Sequence, residues 1–482
     1  MDGSSKVGRY QYLSVLSAHD RSIEVTFKLS SVHLMLKNLH LHTTLFFVLL
    51  ALVTGCVADL PQDTSPSPPS EASEPLVNER DITKKNNSFT LVKNLNNTKP
   101  ATQKQIEQYI NKLATKGAAA ANQGVWMQAG DTLLANYQGT VPQPAASIAK
   151  VATTLAALET FGPDHQFVTL AGATGAIENG VLQGDLVIEG GEDPFFVWEE
   201  AVAVGNLLNQ LGIKQVAGNL VITGKFYMNF QFDPLASGNL LKQGLNAEIW
   251  LKEAETQYKT LPTGTPRPQV EIQGSVLVSP SIPSNVQPLV RHYSFPLAEL
   301  LKKMNLYSNN VMVEILDEAV GGTAAVEQKA AASAGVPLTE IQLNNGSGSI
   351  AERKISPRAA CGMFLAIERY LQTYNLTVAD VFAVIGQDPG ILEKHQLPQL
   401  SVIKSGSWNN IGALVGGLPT QKQGTVWFAV MNIGEEFKES HAEQAILLKS
   451  LLNQWGAVQS LPMELTPNPE RKNKTSRSEI VN

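Results

Sequence analysis

The chain carries Ser147-Ile148-Ala149-Lys150, then Ser308-Asn309-Asn310, then Lys404-Ser405-Gly406. In that order they supply a hydroxyl nucleophile, a lysine able to deprotonate it, a serine–asparagine pair, and a cation suited to a carboxylate. Such a set makes and hydrolyses an acyl ester on a peptide that ends in a free carboxylate. By composition alone, a serine three residues before a lysine arises roughly twice in a chain of this length. Two occur here, and the second is Ser401-Val402-Ile403-Lys404. Periodicity separates them. Residues 145–160 place apolar side chains at Ile148, Val151, Ala152, Leu155 and Leu158, with no Pro or Gly before Gly162, which predicts a helix. Positions i and i+3 are neighbours on a helix, so Lys150 falls beside Ser147 at the first turn. Around Ser401 the pattern is short and β-like, which sends i and i+3 to opposite faces. Ser147 and Lys150 are the reacting pair.

Acyl transfer at neutral pH needs an activated hydroxyl, an oxyanion hole and a proton for the leaving amine. Free N–H groups at a helix start favour negative charge developing near Ser147. Lys150 must be neutral to act as a base, which calls for burial and a nearby cation, with Lys404 as the candidate. Ser308 is suited to relay a proton to the departing amine, and the Asn310 amide to hold the substrate backbone. Lys404 and Ser405 would grip a terminal carboxylate. Beyond Gly406, the strand backbone at Ser407 offers a second oxyanion N–H beside that of Ser147. Taken singly, Ser308, Asn310 and Lys404 read as ordinary surface polar residues. Their order gives them meaning.

Bulk properties limit what else the chain could be. Its 482 residues are 43% hydrophobic, enough for one large or two moderate domains. A net charge of −6 with both signs scattered gives no nucleic-acid footprint. Eight histidines and two cysteines form no metal-ligand cluster, and no metal or organic cofactor is implied. Cys361 reads as a buried small hydrophobe. Residues 45–53 are an apolar stretch too short to span a bilayer comfortably and right for a signal-peptide core. They run into Leu52-Val53-Thr54-Gly55-Cys56, which resembles a bacterial lipobox with Cys56 as the lipidated residue; an ordinary signal peptide is the plainer alternative. Met35 is a natural start. The protein is expected to be exported to the periplasm or cell envelope, touching the membrane only through that lipid anchor.

Five regions follow. Residues 1–56 are leader and signal peptide, and 57–100 a Pro/Ser/Asn-rich linker. Residues 101–162 and 291–461 make the catalytic body, with a β hairpin at 124–138, helices near 296–304, 309–319 and 356–370, and a β–β–β–α end. Residues 163–290 read as an inserted, mainly β region holding one helix, 199–211. Residues 462–482 read as a disordered tail. The fold class is α/β, an antiparallel sheet flanked by helices.

The chain resembles the D-alanyl-D-alanine carboxypeptidase/endopeptidase family, the low-molecular-mass class C penicillin-binding proteins. The likeness covers roughly residues 123–455. Pro144-Ala145-Ala146-Ser147-Ile148-Ala149-Lys150 resembles its nucleophile segment, and Phe161-Gly162-Pro163-Asp164 follows as in the family. Gly184-Asp185-Leu186, Gly190-Gly191-Glu192-Asp193-Pro194, Asn345-Gly346-Ser347-Gly348, Ile355-Ser356-Pro357-Arg358 and Gly386-Gln387-Asp388 resemble further family signatures in the same order. Ser405 stands for the usual threonine, Asn309 for aspartate, Asn345 for aspartate and Glu192 for glycine. The insertion between the first two motifs is shorter than in the fullest members.

The resemblance implies a penicillin-binding/β-lactamase-like transpeptidase fold and a serine-type D-Ala-D-Ala carboxypeptidase, with endopeptidase action on cross-links as an extension. Its partners would be peptidoglycan stem peptides, with β-lactams as covalent inhibitors. A class A β-lactamase would bring the first two motifs closer together and need a positioned Glu that no motif supplies. A Ser-His-Asp hydrolase would need a G-x-S-x-G elbow, which is absent. Gly218…Gly224-Lys225 fails as a P-loop in spacing and at Phe226. The alternative from another class is a catalytically silent peptidoglycan-binding or scaffolding paralogue.

Overall fold

Alternate residues of a strand face opposite ways, so a sheet whose strands are apolar at every position must be covered on both sides. The segment Ile411–Thr420 is buried at every position. It lies inside a six-stranded antiparallel sheet in the order Ala383–Val384, Val402–Trp408, Ile411–Thr420, Gly424–Ile433, Gln123–Ala129, Thr132–Tyr137. This computed structural model describes residues 89–343, 353–434 and 440–481. The signal peptide, Cys56 and the linker as far as residue 88 lie outside them, as does the Asn345-Gly346-Ser347-Gly348 signature.

The two faces of the sheet build two cores. Val125, Met127, Leu414, Phe428 and Val430 pack with the helices Pro100–Thr115 and Ser440–Trp455. Trp126, Ala413, Val415, Trp427 and Ala429 face a larger core with the helices Lys150–Phe161, Leu297–Tyr307, Asn310–Val320, Thr323–Ala334 and Pro357–Gln372. Each large apolar side chain removed from water there contributes about 1.5–3 kcal/mol. Lys150–Phe161 sits deepest, buried at every position from Lys150 to Leu158. Its Ala/Leu composition favours helix, and Gly162 at φ +80° ends it, donating its N–H to the Leu158 carbonyl. Pro357–Gln372 starts where expected, with Ser356 Oγ accepting the Ala359 N–H at 3.0 Å and Pro357 at the first turn.

The inserted region has its own core beneath a second six-stranded sheet. Its order is Val276–Val278, Leu220–Lys225, Leu186–Gly191, Val168–Ala173, Gln287–Tyr293, Arg477–Ile480. The short strands were expected, and so was the helix Trp198–Gln210. Two more helices, Pro234–Gly244 and Lys252–Tyr258, were not. The first has a readable signal: the Asp233 carboxylate caps it through the Ala236 N–H at 2.6 Å and Pro234 opens the first turn.

The tail corrects an expectation. Residues 462–482 were expected to be disordered, yet Arg477–Ile480 pairs antiparallel with Gln287–Tyr293. The charges that suggested solvation are spent on contacts. Arg471 is buried between Asp380, 3.1 Å from its Nε, and Glu299. Lys474 meets Asp164 at 2.6 Å, Ser476 donates to Glu200 at 2.9 Å, and the Arg477 guanidinium lies 3.9 Å from the Tyr293 ring centroid. Polar composition signals disorder only when partners are lacking. Replacing Arg471 by Ala leaves the fully buried Asp380 without its direct ion-pair partner, so stability should fall by about 3 kcal/mol, read as a lowered urea midpoint at unchanged slope.

Candidate active site

Ser147 does not open the α-helix directly. It lies in a 3-10 turn, Ala146–Ala149, and the α-helix begins at Lys150. Ala146 holds φ +45°, a left-handed conformation rare for a residue with a Cβ. The surroundings impose it. Gln143–Pro144 pairs with Lys354–Ile355, and the Ala145 N–H donates to the Arg353 carbonyl at 2.9 Å. From the other side comes Gly406, where a Cβ would stand 2.7 Å from the Ala145 carbonyl and 3.1 Å from the Ser147 nitrogen. Only glycine lets the Val402–Trp408 strand lie against the turn.

The second motif hangs between two helices. Ser308 ends Leu297–Tyr307 in the left-handed region at φ +53°. Asn309 caps Asn310–Val320, its Oδ1 accepting the Met312 N–H at 3.0 Å. An aspartate would cap the same way, which accounts for Asn309 being tolerated there. Both helices are pinned to Lys150–Phe161: Thr153 Oγ1 donates to Asp317 at 2.7 Å, and Asn305 donates to Thr154 Oγ1 at 3.0 Å.

Most of the expected residues meet in one cleft. Lys150 Nζ donates to Ser147 Oγ at 3.1 Å and to Asn310 Oδ1 at 2.6 Å. Lys404 Nζ donates to Ser308 Oγ at 3.1 Å and to the Ser405 carbonyl at 2.8 Å. Both lysines are 1% exposed, Ser147 and Ser308 are half-buried, and Asn310 and Ser407 are exposed. Ser405 and Gly406 line the strand between Lys404 and Ser407. The rival serine, Ser401, is fully buried and turns away, donating to the Pro398 carbonyl at 2.6 Å.

Electrostatics differ from the expectation in one respect. Burial first, and then the Arg353 guanidinium, lower Lys150 to about 7, while Asp317 and Glu314 push the other way. Arg353 is thus a cation acting on Lys150 that spacing did not suggest, beside the mutual repulsion of Lys150 and Lys404. Lys404 is itself held well below the usual lysine range, by burial and then by Lys150. Arg353 lies 3.7 Å from the Asp317 carboxylate, whose own protonation is favoured by burial. Sequence spacing could not place Arg353, although it stands just before the Ile355-Ser356-Pro357-Arg358 signature. Sequence analysis also passed over His441, whose Nε2 is 2.5 Å from Ser407 Oγ. Among the described residues, no group of His, Cys, Asp and Glu is arranged to hold a metal ion.

Fold and site together define a penicillin-binding/β-lactamase-like serine peptidase. The chain belongs to the D-Ala-D-Ala carboxypeptidase 3 (S13) family, whose sequence model matches residues 102–229 and 237–452. Solved structures share the fold. The Bd0816 predatory endopeptidase of Bdellovibrio bacteriovorus, in complex with an immunity protein, is 21% identical with a TM-score of 0.59, over 73% of this chain and 99% of that one. Penicillin G-acylated Bd3459 of the same organism is 22% identical with a TM-score of 0.57, over 73% and 99%. Penicillin binding protein 4 (dacB) of Haemophilus influenzae is 19% identical with a TM-score of 0.55, over 72% and 99%.

Three of the remaining signatures have partners among the described residues. Asp388 accepts from Lys302 Nζ at 2.6 Å, and Asp185 from the Asn219 N–H at 2.6 Å. Glu192 takes φ +67° where glycine is usual, and its carboxylate lies 2.6 Å from Lys225. Removing the Arg353 charge should relieve the repulsion that disfavours the Lys150 ammonium. In Arg353→Gln, carbon-detected NMR of labelled lysine should show Lys150 titrating above its wild-type value near 7.

Proposed function

We propose that the protein is a serine-type D-Ala-D-Ala carboxypeptidase that trims peptidoglycan stem peptides, with endopeptidase action on cross-links, through an acyl-enzyme. The observation that carries this is Lys150 Nζ 3.1 Å from Ser147 Oγ, with Lys150 lowered to about 7. A lysine in that range is partly neutral at physiological pH and can take the serine proton.

Ser147 Oγ attacks the carbonyl of the penultimate D-Ala while its proton passes to Lys150. The N–H groups of Ser147 and Ser407 bind the oxyanion. The C–N bond then breaks, and the amine of the terminal D-Ala receives a proton by way of Ser308. Water hydrolyses the ester, returning Ser147 and the shortened peptide. Asn310 spends its amide oxygen on Lys150, which leaves its NH2 for a substrate carbonyl. Lys404 and Ser405 face the terminal carboxylate. Its arrival supplies the negative charge that restores the Lys404 ammonium, which burial and then Lys150 disfavour.

Peptidoglycan lies outside the cytoplasm, consistent with export through the apolar stretch at 45–53 and anchoring by lipid on Cys56. Among the described residues, no helix is long and apolar enough to cross a membrane. Mass spectrometry of membrane-extracted protein tests the anchor, and an unmodified mature N-terminus elsewhere would remove it. The endopeptidases among the similar solved structures support extending the activity to cross-links.

A fluorescent penicillin should label the folded wild type and not Ser147→Ala. Absence of label on the wild type would favour a silent scaffold, and label on the mutant would move the nucleophile elsewhere. The labelling rate should climb with pH as Lys150 loses its proton and level off above about 7, because the base works only in its neutral form.

A further inference from the structure

The inserted region buries three titratable side chains that face one another at a distance. Asp193, Glu200 and His292 are 3%, 6% and 1% exposed. His292 Nε2 lies 3.6 Å from Asp193 Oδ2 and 3.8 Å from Glu200 Oε2, too far for a hydrogen bond to either. Both Nε2 and Asp193 Oδ2 are shut off from solvent with no hydrogen-bond partner. Their surroundings hold them there. Asp193 Oδ1 accepts the Phe195 N–H at 2.8 Å, and the Phe196 ring meets the imidazole edge to face with centroids 5.0 Å apart. His292 follows Val290 by two residues on Gln287–Tyr293, so it faces the same core, beneath the helix Trp198–Gln210 that carries Glu200.

The tail strand Arg477–Ile480 and the residue before it cover this cluster. His292 stands opposite Ser478 in the ladder, with Nδ1 2.9 Å from Ser478 Oγ, and Ser476 Oγ donates to Glu200 Oε1 at 2.9 Å. Neighbouring charges do not neutralise it. Glu199 adds a negative charge beside Glu200. Lys303, on Leu297–Tyr307, feels both glutamates, but burial disfavours its ammonium, which lies 3.8 Å from Glu299 and 4.5 Å above the Phe295 ring. With a neutral ring and two ionised carboxyls, two negative charges would share one buried space. A single added proton, on ring or carboxyl, halves that charge and supplies a donor to the orphaned atoms. Burial first raises the Glu200 carboxyl, to about 7; His292 and Ser476 oppose the rise, while Asp193 and Glu199 reinforce it.

We propose that Asp193, Glu200 and His292 form a proton-operated latch that fastens the C-terminal strand to the inserted sheet. Docking takes up a proton, because the carboxyl is more basic beneath the strand than in water. The strand is therefore held most firmly below the ordinary carboxylate range, and its hold weakens as pH rises through about 7. Arg471 and Lys474 tie the preceding residues to Asp380, Glu299 and Asp164 of the catalytic body, so the latch also sets how firmly the inserted region is strapped to that body. The latch does not depend on which bond the serine cleaves.

Two measurements decide it. Amide hydrogen exchange, corrected for its intrinsic pH dependence, reads the opening of residues 477–480 and 287–293, with 411–420 as internal reference. In the wild type the opening equilibrium of the tail strand should be about tenfold larger at pH 8 than at pH 5.5, with the reference strand unchanged. Glu200→Gln keeps an acceptor for Ser476 without the charge, and its opening should stay at the acid value at both pH values. Equal opening of the wild type at the two pH values, an equal rise in residues 411–420, or a pH dependence retained in Glu200→Gln overturns the proposal. The second measurement needs no substitution at the cluster. Since protonation and docking are linked, removing the strand must lower the proton affinity of Glu200. Carbon-detected NMR of labelled glutamate should find Glu200 titrating near 7 in the full chain and well below that in a chain ending at Lys474. The same titration in both chains overturns the latch, even if Glu200→Gln fails to fold.

Discussion

Two lysine amines buried in one cleft, each held below its usual basicity, set the terms for everything around them. Taking a charged ammonium out of water costs several kcal/mol, and a second one close by adds repulsion. Lys150 and Lys404 each accept that situation at 1% exposure. The cost is also the chemical asset, since a lysine that resists protonation is a base. The second motif makes the arrangement tolerable by giving each ammonium an oxygen: Asn310 and Ser147 for Lys150, Ser308 for Lys404. Arg353 then tilts Lys150 further toward neutrality.

Such a balance survives only if the groups cannot drift, because a donor displaced by one ångström loses most of its effect. Three distant stretches of chain are therefore locked together at several points. The helix Lys150–Phe161 is gripped through Thr153 and Thr154 by the two helices that flank Ser308. A short ribbon and Gly406 clamp the turn before it. Left-handed backbone at Ala146 and Ser308 costs of order 1–3 kcal/mol each. The buried helix behind Ala146 offsets that with its packing, so the strain sits beside Ser147 and at Ser308 while stability is stored elsewhere.

Much of this was legible in residues and spacing, and the gaps have physical causes. Periodicity separated Ser147 from Ser401, because helical apolar spacing without Pro or Gly is a local mark, present even in a helix buried on every side. The sheet strands and their turns were readable for the same reason. Arg353 escaped because an electrostatic neighbour far along the chain leaves no local pattern. His441 escaped likewise: its contact with Ser407 exists only after the sheet and closing helix have met. Ala146 gave no hint of its conformation, since nothing in an alanine side chain asks for positive φ. The tail misled because lysines and arginines look solvated until Asp380, Glu299, Asp164 and Tyr293 are placed beside them.

The pairing of Gln287–Tyr293 with Arg477–Ile480 also bears on the order of events during synthesis. The earlier strand can join Val168–Ala173 as soon as it is made. Its other edge then presents open backbone N–H and C=O groups until residues 477–480 follow. An uncovered edge is a template for intermolecular pairing. Until residues 477–480 dock, the second sheet is complete in every strand but one, and its exposed edge is open to neighbours of the same kind.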